Sequence, residues 1–129
     1  MYKNRFAEND EYKQQINEFR PLSQNTLSQI KAYFKISFTY ASNAIEGNSL
    51  TLNETKIALE DGITVGGKPV KDYLEVIGNG QAYDLLFDIA KDNRDINSDT
   101  ICYLHKILYT PIDSTNAGKY RQCNVLITG

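Results

Sequence analysis

The sequence predicts an all-α protein, mainly helical, closed by a single C-terminal strand. Apolar residues recur three or four positions apart over most of the chain. Helix breakers and cap residues (Pro21, Gly47, Gly62, Pro111) fall between those stretches. Only the tail, KYRQCNVLITG, shifts toward alternation and β-branched residues.

The first helix is expected from Glu8 to Arg20. It carries Tyr12, Ile16 and Phe19 at helical spacing, and Pro21 ends it. Ser23 or Asn25 can cap the second. Its series Leu27, Ile30, Phe34, Phe38, Ala41, Ile45 is a long regular stripe, expected to face the core. Gly47 and Asn48 stop it, because a helix commonly closes on a residue able to turn left-handed. Thr51 and Glu54 stand in capping-box spacing at the start of a short helix. Gly62, Gly66 and Gly67 punctuate a loop. Lys68 to Asn93 reads as a long helix with Pro69 in its first turn. Its stripe is Tyr73, Val76, Ile77, Gly80, Tyr83, Phe87, and Gly78 and Gly80 are expected to permit close helix contact. Ser98 caps a last helix, closed by Pro111. A lone strand needs a mate for its backbone groups. The chain stops at Gly129, where a turn and a return strand are expected, so it reads as the beginning of something longer.

Composition narrows the function classes. The chain has 129 residues, 41% of them hydrophobic, with 14 Lys and Arg against 16 Asp and Glu. Enough apolar surface and nearly balanced charge argue against disorder. The slight acidic excess argues against a dedicated nucleic-acid binder. No apolar run approaches the roughly 20 residues that span a bilayer. The N-terminus lacks the apolar core of a signal peptide. A cytoplasmic protein without membrane or nucleic-acid partner is therefore expected. Cys102 and Cys123 lack metal-ligand spacing and read as free thiols, with Cys102 in the core. His105 is the one histidine, so neither a three-histidine nor a two-cysteine, two-histidine zinc site can form in one chain, and no metal site is expected. No nucleophile-elbow sequence accompanies His105, which reads as a half-buried helix residue. The nine tyrosines lie mostly on helical stripes and read as packing residues, not as a base-stacking platform.

The stretch Ser42-Asn43-Ala44-Ile45-Glu46-Gly47-Asn48 carries the most information. Ser42 and Glu46, four apart, share a helix face. Ile45 is expected in the buried stripe with Glu46 beside it. A carboxylate at a helix C-terminus is poorly placed against the dipole and is better served by a cation from elsewhere. Local physics alone permits an ordinary helix end with a solvated Glu and a Gly cap. The pattern Ser/Thr-x-x-x-Glu-Gly/Asn arises by chance in roughly one chain in ten.

The context points further. SNAIEGNSLTLNET resembles the inhibitory-helix segment of Fic-domain proteins. The resemblance continues through GGKPVKDYLEVIGNGQAYDLL. It resumes in LHKILYTPIDSTNAGKYRQCNVLITG, similar to the family stretch that ends in Gly-x-Tyr/Phe-Arg before a β-hairpin flap. It runs from about Ser37 to the end, so residues 1–36 are expected as a helical extension and 37–129 as the N-terminal part of a Fic-type domain.

The resemblance implies adenylyl transfer: AMP moves from ATP to a hydroxyl of a target protein, with ATP and Mg²⁺ as cofactors of the intact protein. The family signature, His-Pro-Phe-x-Asp/Glu-Gly-Asn-Gly/Lys-Arg, supplies base, metal-holding acid and phosphate loop. No His-Pro pair occurs in this sequence, and His105 is followed by Lys106, so no catalytic residue is expected in this chain. By motif position Ser42, Glu46 and Gly47 form the inhibitory element, with Glu46 pairing the signature's last Arg. Arg121, in Gly118-Lys119-Tyr120-Arg121, leads into the flap and reads as structural. Val125, Leu126, Ile127 and Thr128 are the expected flap strand, lying beside the target and covering the nucleotide. The expected partners are the target protein, ATP, and a second copy through unpaired strand and apolar faces. A different class remains open: a non-enzymatic, antitoxin-like inhibitor or interaction module acting on a separate Fic domain. Continuation of the coding sequence into a His-Pro-Phe segment separates the two. A third, a generic helical domain with an accidental match, would be supported if no Fic-type segment accompanied the chain.

Overall fold

Five helices organise residues 2–126, the part of the chain that the computed structural model describes, with side chains from Phe6 onward. They are α1 (Tyr2–Glu18), α2 (Gln24–Ile45), α3 (Leu52–Asp61), α4 (Val70–Lys91) and α5 (Ser98–Tyr109). None of the described residues lies in a strand. Two compact units divide the chain, Met1–Ala32 and Tyr33–Gly129, and α2 runs through the division.

In the first unit α1 starts six residues earlier than the sequence predicts and ends two earlier. The expected apolar positions Tyr12 and Ile16 in α1, and Phe19 just past its end, are all more than half exposed. Of the two possible caps of α2, the structure uses Ser23, whose Oγ accepts from the Thr26 N–H at 3.1 Å.

The second unit is built around α4, against which α3 and α5 pack. Its middle is buried nearly all round: Val76, Gly78, Asn79, Gly80 and Ala82. Val76 joins Leu50 and Ala58 in the core, with Leu59 and Tyr73 packed against them. Gly78 lets α5 approach: a Cβ there would run into the backbone carbonyl of Leu108. Only a residue without a side chain fits that contact.

The cap chemistry follows the sequence closely. Thr51 Oγ1 accepts from the Glu54 N–H at 3.2 Å, and Glu54 Oε2 accepts from the Thr51 N–H at 2.7 Å. That reciprocal box starts α3 as expected. At the end of α2, the Asn48 N–H bonds the Asn43 carbonyl and the Gly47 N–H bonds the Ala44 carbonyl. This is the Schellman arrangement, with Gly47 in the left-handed position at φ +86°. At α5 the cap is Asn97, one residue before the expected Ser98; its side chain accepts from Thr100 N–H at 3.0 Å. Both residues are good caps, and Asn97 holds the extended backbone the role requires.

Several expectations about burial are corrected. The stripe Leu27, Ile30, Phe34, Phe38, Ala41, Ile45 is exposed, and Ile45 reaches 83%. The face of α2 that packs inward instead carries Lys35, Thr39 and Asn43. It is turned about 100° from the stripe, the rotation of a single helical residue. Polar and ring contacts join it to α4: Lys35 Nζ to Asp84 Oδ2 at 2.6 Å, Asn79 Nδ2 to Asn43 Oδ1 at 3.3 Å, and the Phe38 and Tyr83 rings 5.9 Å apart. Cys102 is half-buried, not core, since α5 contributes no fully buried side chain. His105 is exposed, not half-buried.

Candidate functional site

The end of α2 borders a groove. Ser42 and Glu46 line a cavity of about 390 Å³, walled by Phe38, Ala82, Tyr83, Leu86, Leu104 and Leu108, with Asn43 and Asn79 also in its lining. On the helix, Ser42 and Glu46 lie between the exposed apolar stripe and the inward polar face, so their side chains rim the groove. Ser42 is half-buried and Glu46 exposed. The Glu46 carboxylate has no ion-pair or hydrogen-bond partner among the described residues. The groove thus combines apolar walls with one unneutralised carboxylate at its mouth. It fits an apolar segment that carries a cation.

A polar junction fixes the chain just after Glu46. Asn48 Nδ2 donates to the Asp72 carbonyl and to Glu75 Oε2, both at 2.9 Å, while Asn48 Oδ1 accepts from the Leu50 N–H at 3.0 Å. Asp72 Oδ2 accepts from the Ser49 N–H at 2.7 Å and from Ser49 Oγ at 2.6 Å. Lys68 Nζ donates to the Ser49 carbonyl at 2.5 Å and lies 3.5 Å from Glu54 Oε2. The loop after α2 is therefore tied to the first turns of α4, which fixes the backbone just after Glu46. Sequence reasoning missed Asn48 and Asp72 in this role. Their only signal was a polar run (Asn48, Ser49) beside a helix start rich in charge (Lys68, Lys71, Asp72).

The Ser49 hydroxyl and backbone N–H hold the Asp72 carboxyl below the usual carboxylate range. Its folded value is lowered, so its contribution is complete above the unfolded value near ~3.9 and disappears as pH falls through the folded value. Melting curves at descending pH should show wild type losing stability below about pH 4. Asp72→Asn should show a flatter acid limb and a lower plateau near neutrality. Parallel curves for the two proteins would mean the junction does not hold in solution.

Of the expected flap residues, Val125 and Leu126 are exposed and belong to no ladder. An unpaired segment has no ladder bonds to make. Ile127 and Thr128 lie outside the described residues. Among the described residues no three His, Cys, Asp or Glu side chains converge to hold a metal. No helix among them is long and apolar enough to cross a membrane.

No family model matches the chain. The chain is 32% identical over 114 residues to protein adenylyltransferase fic-1 of Caenorhabditis briggsae, covering 86% of this chain and 22% of the relative. It is 31% identical over 99 residues to protein adenylyltransferase Fic of Nematostella vectensis, covering 76% and 23%. A Fic domain containing signaling protein from Bacteroides thetaiotaomicron superposes with a TM-score of 0.73 at 30% identity, over 82% of this chain and 40% of that one. A fragment of Fic-1 from Caenorhabditis elegans carrying a Glu-to-Gly substitution superposes with a TM-score of 0.71 at 29% identity, over 84% and 34%. The chain thus spans little more than a fifth of the length of these two curated relatives.

Proposed function

Because this chain belongs to the Fic family, we propose that it is the regulatory and scaffold part of an adenylyltransferase that moves AMP from ATP to target-protein hydroxyls, restrained by its own Ser42–Glu46 helix end. The observation that carries this is the placement of Glu46. An exposed carboxylate without partner among the described residues rims an apolar groove. A segment bearing the arginine of a phosphate-binding signature would fill the groove with its apolar side and pair that carboxylate. A bidentate arginine–carboxylate pair is directional and strong. It occupies the cation that must otherwise seat the γ-phosphate of ATP.

Under this proposal the chain's own residues position and restrain. Once such a segment fills the groove against Leu104, Leu108, Phe38 and Leu86, water leaves it, which strengthens the ion pair by lowering the local dielectric. The Asn48–Asp72 junction holds the helix end that presents Glu46. ATP and Mg²⁺ supply the reacting phosphoryl group and its charge neutralisation in the intact protein. The resemblance assigns their ligands to the signature segment.

The experiment is AMP transfer from labelled ATP with magnesium in a cell lysate. The full-length protein, freed of restraint by Glu46→Gly, is expected to label targets or itself. The 129-residue chain alone is expected to transfer nothing, because it holds no His-Pro pair. Label moved by the short chain, or none moved by the released full-length protein, would overturn the proposal.

A further inference from the structure

A second cavity lies where α5 meets the loop that follows it. Its volume is about 780 Å³, and it is lined by His105, Tyr109, Asn116, Lys119, Tyr120, Arg121 and Cys123. The chain as a whole is acidic, at −2, yet this lining contains a lysine and an arginine and no carboxylate. Arg121 has no ion-pair partner among the described residues.

The local structure orients these groups. Gly118 turns the chain at φ +75°, where a Cβ would also press on Lys106 and on the Cys102 carbonyl. That turn brings its N–H to His105 Nδ1 at 2.9 Å. With Nδ1 accepting, the neutral ring carries its proton on Nε2, which is left as a donor. The His105 and Tyr109 rings stack at 5.2 Å and 18°, which fixes the imidazole plane. Lys119 Nζ donates to the Thr115 carbonyl at 2.7 Å and keeps further donors to spare. Asp113, in the same loop, has its carboxylate already engaged. Asn116 Nδ2 donates to it at 2.6 Å, and the N–H groups of Thr115 and Asn116 at 3.0 and 3.3 Å. These bonds, the Asn116 amide first, hold the Asp113 carboxyl below its ordinary range. Its charge also acts on Lys119, which leaves Arg121 as the cavity's cation without an ion-pair partner among the described residues.

We propose that this cavity binds a pyrophosphoryl group. Arg121 offers a planar fork suited to two phosphate oxygens, Lys119 a point charge, and His105 Nε2 a neutral donor. A lysine and an arginine at one cavity match a multiply charged anion. The volume falls in the range of small-molecule sites and exceeds what a single phosphate fills. The exposed Tyr120 ring stands at the same cavity, open for a planar ring if the ligand carries one. The proposal shares no residue with the Ser42–Glu46 groove and stands whether or not that groove restrains AMP transfer.

The test is calorimetric titration of the 129-residue chain at low ionic strength with inorganic pyrophosphate and, separately, with ADP. Saturable binding is expected, weakened about ten- to a hundredfold by Arg121→Gln, the loss of one charge-assisted contact. Lys119→Gln should act in the same direction. Both side chains are exposed, so melting curves of the variants should match wild type. Pyrophosphate should also slow alkylation of Cys123, which lines the cavity, more than that of Cys102. ADP binding tighter than pyrophosphate, with the difference removed by Tyr120→Ala, assigns a nucleotide source; equal affinities assign free pyrophosphate. Absence of saturable binding by either probe, or Arg121→Gln binding as tightly as wild type, overturns the proposal.

Discussion

Replacing Glu46 by glycine is expected to raise AMP transfer by the full-length protein about ten- to a hundredfold. The proposed pair of Glu46 with a signature arginine must open before the γ-phosphate can seat. A charge-assisted, partly desolvated pair contributes about 1.5–3 kcal/mol, and each 1.4 kcal/mol is a factor of ten in the competent population. Ser42 rims the same groove but offers only a hydroxyl, nearer 1 kcal/mol. Ser42→Ala should therefore raise transfer about fivefold, less than Glu46→Gly. The folded state should tolerate Glu46→Gly, because the residue is exposed, has no partner among the described residues and sits beyond the last helical residue of α2. Loss of stability should stay within about 0.5 kcal/mol. Auto-AMPylation of wild type, Ser42→Ala and Glu46→Gly at matched concentration, with melting curves alongside, measures both quantities. Equal rates for wild type and Glu46→Gly would return Glu46 to an ordinary solvated helix end.

What the sequence made legible was short-range. The Thr51–Glu54 box and the Gly47 closure depend on bonds between residues at most five apart, and both formed as their spacing predicts. Helices α2 to α5 lie within a few residues of their expected limits for the same reason. The face of α2 was not legible. Periodicity locates an apolar stripe but does not say what covers it, and here Phe34, Phe38 and Ile45 stay exposed while Thr39 and Asn43 turn inward. The inward face is held by a buried amide pair, Asn43 with Asn79, whose partners are 36 residues apart. No local pattern announces such a pair. The same holds for the groove: Ser42 and Glu46 stand out in their motif, but Leu104 and Leu108 join them only through the packing of α5 on α4.

That packing rests on Gly78, and Gly78→Ala is expected to destabilise the protein by about 1–3 kcal/mol, the range for overpacking a tight contact. Two effects compete. Alanine favours the helix by about 1 kcal/mol over glycine. Against this, the new methyl would overlap the carbonyl of Leu108, a backbone atom that cannot turn aside without moving α5. At Gly80 the same substitution meets the ends of the Leu59 and Lys35 side chains, which can change rotamer. Gly80→Ala should therefore be much milder, with the helix gain offsetting most of its cost. Each kcal/mol lowers the midpoint by roughly 4–8 °C in a domain of about 100 residues, so the two variants should separate clearly in thermal melts. Displacing α5 also moves Leu104 and Leu108, two walls of the groove. In the full-length protein Gly78→Ala should accordingly weaken the restraint by Glu46 as well as the fold, and Gly80→Ala should leave the restraint in place. A Gly78→Ala protein as stable as wild type would show that α4 and α5 do not meet backbone to backbone, and the groove would need to be rebuilt from other contacts.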